Sequence, residues 1–308
     1  MTKLILLEVK DMYRGVRYHL TVLAFISPLL LGMLFFSVYP MISALLMSFK
    51  NTKSGQHSAP WIGLKNYEYL LSDPMFWKSI YNTLYMGVLS ACLGIVCSFI
   101  LASLINGQKR KSAKNFFKAI YFLPNIVSIV ATSTLFSFIF YPSAEGLLNH
   151  ALGWFHIEPV GWFTNPQTSQ ISIVLMSVWY GLGYNTIIFL AGLQSVPKDL
   201  YEAAEVDGAG IWRKWTGISI PYMRPIFLFM IVIGMIDGMK RFTDVWLIGG
   251  TAGNPNGTLM TVVLYIYRQG FLSSEMGLAT AASYLLFVLI LLLSAVMILA
   301  NRRKSDFY

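Results

Sequence analysis

Four ionisable residues interrupt a long apolar segment in the last third of the chain: Asp237, Lys240, Arg241 and Asp244. Ionisable groups at membrane depth are costly, so they usually face a cavity or one another, and we regard these four as functional candidates. On a continuous helix, Asp237 would lie beside both cations and Arg241 would lie beside Asp244. Two interpretations stay open: the charges line a path for a polar solute, or they form a self-neutralising ladder of ion pairs near an interface.

A charged loop from Tyr201 to Pro225 separates two apolar segments and has the pattern of a partner-binding element. Pro197 suits the first position of a helix, and acidic residues follow it, so a short helix is expected over 198–206. Two small alanines on that helix would let another surface approach its backbone. The face that contains them has a spacing of three and four residues and carries Leu200, Ala203, Ala204 and Asp207.

The second half of this loop begins with two glycines. Gly208 and Gly210 permit a sharp turn, and a second short helix is expected over 211–218 before Pro221 closes it. An ordinary amphipathic connector would show the same features. The residues alone therefore leave a partner site and a connector as equal alternatives.

The elements that position these residues follow from composition. Hydrophobic residues make up 56% of the 308 positions and charged residues only 12%, too little polar surface for a water-soluble globule. A helix that spans a bilayer needs about 20 largely apolar residues. We therefore predict an all-α, polytopic membrane protein that forms a single transmembrane domain over 1–308. Kinks are expected at Pro28, Pro40 and Pro124, and a loop is expected at 197–224. The six predicted spans lie near 20–49, 79–106, 119–142, 171–196, 226–250 and 276–300.

Basic residues set the predicted orientation. With the amino terminus in the cytoplasm, most of the 23 lysines and arginines fall in segments on the inner side, as expected for a membrane protein. Both termini and the 197–224 loop are thus expected in the cytoplasm. This asymmetry and contact with anionic lipid account for the net charge of +9, so no nucleic-acid partner is expected.

Motifs of soluble-enzyme chemistry are missing from the sequence. It has no G-x-x-x-x-G-K-[ST] phosphate loop and no H-E-x-x-H, and its four histidines are scattered without metal-ligand spacing. We therefore expect no catalytic residue, no metal site and no cofactor bound by this chain, and we do not expect it to be an enzyme.

The 197–224 loop also carries a family signature. The loop contains Glu202-Ala203-Ala204, then Gly208 after three residues, Ile218 after nine more, and Ile220-Pro221 after one more. This pattern resembles the E-A-A-x3-G-x9-I-x-L-P motif of permease subunits of bacterial ABC importers. Ile220 stands where leucine is usual. The longer E-A-A-x-x-D-G-A form of carbohydrate-importer permeases is matched from Glu202 to Ala209. The resemblance covers roughly residues 20–303 and is to the permeases for maltose, multiple sugars and glycerol phosphate.

The resemblance implies a fold and a function. The fold would be that of an importer-type ABC permease with a cytoplasmic coupling helix, in the bacterial cell membrane. The chain would carry a carbohydrate, in particular an oligosaccharide, by alternating access. Its partners would be a second, unlike permease subunit, two cytoplasmic ATPase subunits that bind Mg-ATP, and an extracytoplasmic substrate-binding protein. Glycerol phosphate is the alternative substrate, because Lys240 and Arg241 could meet an anion, and a secondary transporter or channel is the alternative class.

The same resemblance assigns roles to particular residues. In the coupling loop, the carboxylates would meet basic groups of the ATPase, the alanines would allow close packing and Gly208 would set the bend. The residues assigned to coupling are Glu202, Ala203, Ala204, Asp207, Gly208 and Pro221. Counted from this loop, the positions that contact sugar in maltose-type permeases fall near Gly181, Tyr184, Gly238 and Arg241. To these we add Asp237 on physical grounds. The sequence does not identify the sugar, the partner subunits or the resting state.

Overall fold

The computed structural model describes residues 21–53 and 59–305. The expected cytoplasmic amino-terminal segment, with its basic residues before position 20, lies outside the described residues. The described part is helical, and within it the extended pairings are two isolated bridges, Lys50 with Trp61 and Lys53 with Glu275. The all-α fold class is therefore confirmed.

The helices are numbered here in chain order. They are α1 (Thr21–Ser48), α2 (Lys65–Ser72), α3 (Pro74–Asn106), α4 (Lys111–Ile126), α5 (Ile129–Ile139), α6 (Leu147–Gly153), α7 (Ser169–Ser195), α8 (Lys198–Val206), α9 (Ile211–Tyr222), α10 (Arg224–Met239), α11 (Thr243–Gly249), α12 (Val262–Tyr267) and α13 (Met276–Ser305).

Four of these helices, α1, α3, α7 and α13, are long and apolar enough to cross a membrane. Two bent pairs, α4 with α5 and α9 with α10, each supply enough apolar length for one further span. The described residues thus provide four to six membrane crossings, as a polytopic protein requires.

The predicted span at 119–142 is bent more sharply than the kink expected at Pro124. Helix α4 begins earlier, at Lys111, and the axes of α4 and α5 differ by 98° across a break after Ile126. Val127 and Ser128 adopt extended backbone angles, and the Ser128 hydroxyl accepts a hydrogen bond from the amide of Ala131 at 3.3 Å, which caps the new helix. The bend therefore falls at a capped break and not at Pro124, which stays inside α4.

The predicted span at 226–250 is also divided. Helix α10 ends at Met239, the backbone at Phe242 takes φ −143° and ψ −59°, and α11 begins at Thr243. Asp237 and Asp244 consequently lie on different helices, with Arg241 in the break between them. The helical spacing on which the ion-pair ladder was based does not hold across this break.

Prolines have a milder effect in α1 than expected. The helix runs unbroken through Pro28 and Pro40, and a π turn at Leu34–Val38 precedes the second proline. A π turn accommodates a local loss of regular hydrogen bonding without ending the helix.

Two helices run side by side through the centre of the bundle. Near their starts, the Gln170 amide of α7 donates to Asn82 Oδ1 of α3 at 2.8 Å, and further along Ser98 of α3 donates to the carbonyl of Leu182 at 3.3 Å. Helices α3 and α7 are therefore parallel and end at the same side of the bundle. The turn at 250–261 lies at the opposite side, where Asn82 donates to the carbonyl of Gly257 at 2.9 Å.

The outermost helices complete the two-sided arrangement. Helix α13 is antiparallel to α1, since the Tyr284 hydroxyl donates to the carbonyl of Met41 while Lys53 pairs with Glu275 beside the start of α13. The described start of α1 and the end of α13 thus share the side on which α7 ends. Helix α8 follows α7 on that same side.

The apolar core has two parts. One cluster includes Met86, Met176 and Met239, towards the side of the 250–261 turn, and the other includes Phe99, Phe189 and Met230, towards the side of α8. Helices α3, α7 and α10 contribute to both clusters. The stretch of each helix between its two clusters is where the interior opens into a cavity.

Candidate functional site

A cavity of about 420 Å³ lies between α3, α7 and α10. Both helix breaks contribute to its wall, the α4–α5 junction through Asn125 and Ile129 and the α10–α11 junction through 241–244. Irregular backbone at membrane depth is tolerated where it borders a cavity. The polar and aromatic groups that line it are Ser90, Asn125, Ser177, Tyr180, Tyr184, Asn185, Asp237, Arg241, Phe242, Thr243 and Asp244.

The cavity lies near the middle of the bundle along its axis. Ser90 follows the first residue of α3 by 16 residues in a helix of 33, which is about 24 Å at 1.5 Å per residue. Gly181 is likewise near the middle of the 27-residue α7. Sites at the midplane, where discontinuous helices meet, are typical of transport proteins.

All five residues predicted to contact substrate line this cavity: Gly181, Tyr184, Asp237, Gly238 and Arg241. Their local roles differ. Tyr184 is 46% exposed and presents a ring and a hydroxyl. At Gly181 an added Cβ would meet only the Asn185 amide nitrogen, at 3.7 Å, so this glycine leaves open space in the cavity. Substrate contact by these residues stays a prediction.

Gly238 has a packing role that the sequence did not reveal. A Cβ added there would lie 2.6 Å from the Cα of Gly87, a distance that real Cβ atoms do not show. The two glycines allow α10 and α3 to cross in close backbone contact at the cavity wall. Gly238 therefore acts on the site through the helix crossing.

Arg241 is the centre of a polar network that joins three parts of the fold. Its Nη1 donates to Asp244 Oδ2 at 2.6 Å and to Ser177 Oγ of α7 at 2.5 Å, and its Nη2 donates to Ser90 Oγ of α3 at 3.2 Å. The side chains of Arg241 and Asp244 are only 10% and 8% exposed. A buried pair of this kind holds its elements together, because removing one partner leaves an uncompensated charge.

The remaining charges behave differently from this pair. Asp237 is exposed to the cavity and, within the described ranges, makes no ion pair or side-chain hydrogen bond. Lys240 is exposed but does not line the cavity. Of the predicted ladder, the Arg241–Asp244 pair forms and the Asp237 contacts do not. One pair is thus structural and one carboxylate faces the cavity, and a role of these charges in solute passage stays a prediction.

Several cavity residues were not identified from the sequence. Ser90 and Ser177 anchor the arginine, Asn125 precedes the α4–α5 break, and Tyr180 lies one turn before Tyr184. A polar side chain inside an apolar span is the signal that could have marked the two serines. No spacing in the sequence connects Asn125 with residues of α7 and α10.

Helix α8 has the bounds that the sequence predicts, Lys198–Val206. Pro197 precedes the helix in an extended conformation, with ψ 131°, and is therefore its N-cap and not its first residue. At the other end the Gly208 amide donates to the carbonyl of Glu205 at 3.0 Å, and the Ala209 amide donates to that of Ala204 at 2.8 Å. These bonds form a Schellman motif, whose left-handed position is Gly208 with φ +71°.

Two side-chain contacts fix α8 to α9. Glu205 accepts a hydrogen bond from Lys214 at 2.6 Å, and the hydroxyls of Tyr201 and Ser219 lie 2.8 Å apart. The hydrogen bond and the charge of Lys214 lower the pKa of Glu205 below its ordinary value of 4.5. The Lys214 contact is therefore present at neutral pH and is lost only as the pH falls below that value.

Pro221 does not close the second helix of the loop. Helix α9 continues through a π turn at Trp215–Ser219 and through Pro221 to Tyr222, and the chain then bends by 75° into α10. The π turn before this proline accommodates the local loss of regular hydrogen bonding, so the helix continues through it.

The outer surface of α8 and its turn is exposed. Among the residues predicted for coupling, Glu202, Ala203, Asp207 and Gly208 are exposed and Ala204 is half-buried. Apolar side chains beside them are also uncovered, with Val206 89% and Trp212 71% exposed. In the described part of the chain, no three histidine, cysteine or acidic residues form a group able to hold a metal ion.

Comparison with known proteins gives consistent matches. Residues 94–305 match the family model of the binding-protein-dependent transport system inner membrane component. The arabinooligosaccharides transport system permease protein AraP of Bacillus subtilis (strain 168) is 33% identical, over 88% of this chain and 85% of that protein. The lactose transport system permease protein LacF of Rhizobium radiobacter is 30% identical, over 91% of this chain and 94% of that protein.

A solved structure shares the fold. It is the crystal structure of a bacterial ABC transporter involved in the import of the acidic polysaccharide alginate, one chain of which superposes with a TM-score of 0.83 at 27% identity. The superposition covers 95% of this chain and 99% of that chain.

Proposed function

This chain belongs to the family of inner-membrane components of binding-protein-dependent transport systems, and from that premise we propose that it is the transmembrane subunit of an ABC importer for an oligosaccharide. It is a transport subunit and a multi-pass protein of the cell membrane. The substrate would cross by alternating access, in which the cavity opens to one side of the membrane at a time.

The observation that carries the proposal is the composition of the central cavity. Its volume of about 420 Å³ is in the range of small-molecule sites, roughly 300–1,000 Å³. Tyr180 and Tyr184 offer aromatic faces for the apolar C–H surface of a sugar ring, and Asn125, Asn185 and Thr243 offer amide and hydroxyl groups for its hydroxyls. Relatives named as permeases for arabinooligosaccharides and lactose support the same substrate class.

Helix α8 is the proposed coupling helix, docked on one of two cytoplasmic ATPase subunits that bind Mg-ATP. Its exposed carboxylates, Glu202 and Asp207, suit basic groups of that partner, while Ala203 and Val206 give it an apolar contact surface. The contacts of Glu205 and Tyr201 with α9 let α8 and α9 move as one body.

Movement of α8 would reach the cavity through α7. Ser195, at the end of α7, is separated from Gly181 by 14 residues of continuous helix, about 21 Å. A rigid helix of that length transmits a displacement of α8 to the Tyr184 side of the cavity. This is how closure of the ATPases would change the access of the site.

The remaining partners follow from the two-sided bundle. The side that carries α8, the described start of α1 and the end of α13 would face the cytoplasm, and the 250–261 turn would face an extracytoplasmic substrate-binding protein. A second, unlike permease subunit would complete the pathway beside the open side of the cavity. Membrane lipid would contact the basic loops and the exposed apolar helices.

The two alternatives are less well supported by the site. A glycerol-phosphate importer needs an available cation, and in this cavity Arg241 is already paired with Asp244. A secondary transporter or channel does not require an exposed and capped surface helix such as α8. Neither alternative accounts for the cavity and α8 together.

Reconstitution tests the proposal. The complete importer is placed in liposomes, and ATP-driven uptake of neutral oligosaccharides and stimulated ATP hydrolysis are measured for Glu202→Gln. We expect both rates to fall about tenfold, the effect of one lost charge-assisted contact. Glu158→Gln, an exposed carboxylate in the connection between α6 and α7, is the matched control and should leave both rates unchanged. Full activity of Glu202→Gln would exclude this role for α8, and absence of uptake by the unmodified importer would exclude the transport function.

A further inference from the structure

The cavity has an uneven charge balance. Of its lining residues, Asp237, Arg241 and Asp244 carry formal charges, so the lining holds two carboxylates and one cation. Lys240, the other cation nearby, is exposed elsewhere and does not border the cavity. A solute in this cavity therefore meets a net negative wall.

The single cation is not available to a solute. Both terminal nitrogens of Arg241 donate to protein groups, Nη1 to Ser177 and Asp244 and Nη2 to Ser90. Its Nε is buried, so it cannot reach the open space, and it has no partner among the residues that the structure describes. The side chain as a whole is 10% exposed. The positive charge is thus balanced by Asp244 and enclosed by two helices.

Asp237 is in the opposite situation. It lies two residues before the end of α10, borders the cavity and is exposed, and it has no ion-pair partner within the described ranges. A carboxylate without a cation can accept hydrogen bonds but cannot donate them. Its natural partner in a transported solute is a pair of neighbouring hydroxyl groups, each of which donates to one carboxylate oxygen.

We propose that Asp237 is the residue that sets the charge specificity of this cavity, so that the importer accepts neutral oligosaccharides and rejects those with uronate or phosphate groups. This inference rests on the proposed function and adds the class of carbohydrate. An acidic solute places acceptor-only groups beside a like charge in a site partly shielded from water, where repulsion is stronger than in solution.

The shared fold with the alginate importer is compatible with this specificity. At 27% identity the backbone arrangement is retained while most side chains differ, and specificity depends on the side chains of the site. In this chain those side chains offer no free cation to an acidic polymer.

The test is a binding measurement on the complete importer purified in detergent with its own partner permease and ATPases, but without the binding protein, so that selection by that protein is excluded. The probes are radiolabelled neutral trisaccharides of glucose, galactose and arabinose, and trigalacturonate as the acidic counterpart. The unmodified importer should bind at least one neutral trisaccharide about tenfold or more tightly than trigalacturonate, the range expected for a hydrogen bond to a charged group.

Three variants assign the effect to Asp237. Asp237→Asn should reduce the preference for the neutral sugar about tenfold, and Asp237→Glu, which keeps the charge, should retain it. Lys240→Gln alters a charge three residues away outside the cavity and should leave the preference unchanged. Equal binding of the two classes by the unmodified importer, or an unchanged preference in Asp237→Asn, would overturn the inference.

These outcomes are distinguishable from failure of the proposed function. If ATP drives uptake of an oligosaccharide but the preference does not depend on Asp237, only the charge specificity is wrong. If the importer neither binds nor transports any of the probes, both proposals fail. Since the unmodified importer alone already tests the preference, poor assembly of one variant does not leave the inference undecided.

Discussion

The turn after α8 allows two glycines to be compared under nearly identical conditions. Gly208 and Gly210 are two residues apart, and a Cβ added at either meets nothing within 4 Å. They differ in backbone conformation, because Gly208 has φ +71° and Gly210 has φ −71°. Replacement of Gly208 by alanine should therefore impair the loop, while the same change at Gly210 should not.

The magnitude follows from the left-handed conformation. An alanine forced into that region costs about 1–2 kcal/mol, which corresponds to roughly a 5- to 30-fold loss in the population of the native turn. The loss acts on the Schellman bonds of Glu205 and Ala204, and so on the orientation of the α8 surface. Gly210→Ala keeps a permitted conformation, and its effect should stay within about 0.5 kcal/mol.

The assay is the ratio of sugar transported to ATP hydrolysed by the reconstituted importer. Gly208→Ala should lower this ratio severalfold, with Gly210→Ala as the matched control. Gly208→Asn separates backbone strain from contact with a partner, since asparagine tolerates the left-handed region but has a larger side chain. Asparagine should therefore be better tolerated than alanine at this position.

Two results would refute this reasoning. Equal ratios for Gly208→Ala and Gly210→Ala would show that the left-handed turn is not needed for coupling. A greater loss with asparagine than with alanine would show that the space around Gly208 is occupied in the complex and that size, not conformation, limits the position.

Two further predictions concern the cavity wall, and both are checked by thermal unfolding of the purified complex. Gly238→Ala should destabilise the protein by about 1–3 kcal/mol, because its Cβ would be forced against the backbone of Gly87. Gly32→Ala is the control, since an added Cβ in α1 meets open space. Equal stability of the two variants would contradict the close crossing of α3 and α10. Arg241→Ala should cost about 3–5 kcal/mol, since it leaves Asp244 buried without a partner, and the double change Arg241→Ala with Asp244→Ala should recover part of the loss. A double variant as unstable as the sum of the single changes would show that the pair does not interact.

Local signals in the sequence were sufficient for helix α8. A proline before the helix, an acidic residue in its first turn and a glycine after it act within a few residues of one another. The bounds 198–206 and the turn at Gly208 could therefore be predicted without tertiary information. The same is true of the all-α class, because the lengths of apolar segments depend on the bilayer and not on the neighbours of each helix. The roles of these residues in coupling stay a prediction.

The helix breaks could not be predicted from local signals in the sequence. Residues 119–142 form a continuous apolar pattern in which Pro124 predicts a kink, but nothing in that pattern predicts two helices at 98° with a break after Ile126. A broken helix depends on whether Val127 and Ser128 find partners in the surrounding structure. The family resemblance identified four residues of the cavity, and the cost of a charge in an apolar span identified Asp237. The serines and Asn125 became recognisable only once α3, α4 and α7 were in place.

The charged residues show most clearly what the sequence determines and what only the tertiary structure determines. The sequence by itself determined that Asp237, Lys240, Arg241 and Asp244 lie in an apolar environment where charge is costly, because that follows from composition and span length. It could not determine their partners. The ladder assumed one helix, whereas the break after Met239 lets Arg241 reach Asp244, Ser177 and Ser90, the last 151 residues away along the chain. Only the tertiary structure therefore decided which charge is neutralised and which faces the cavity, since pairing depends on distances of a few ångströms between segments remote in sequence.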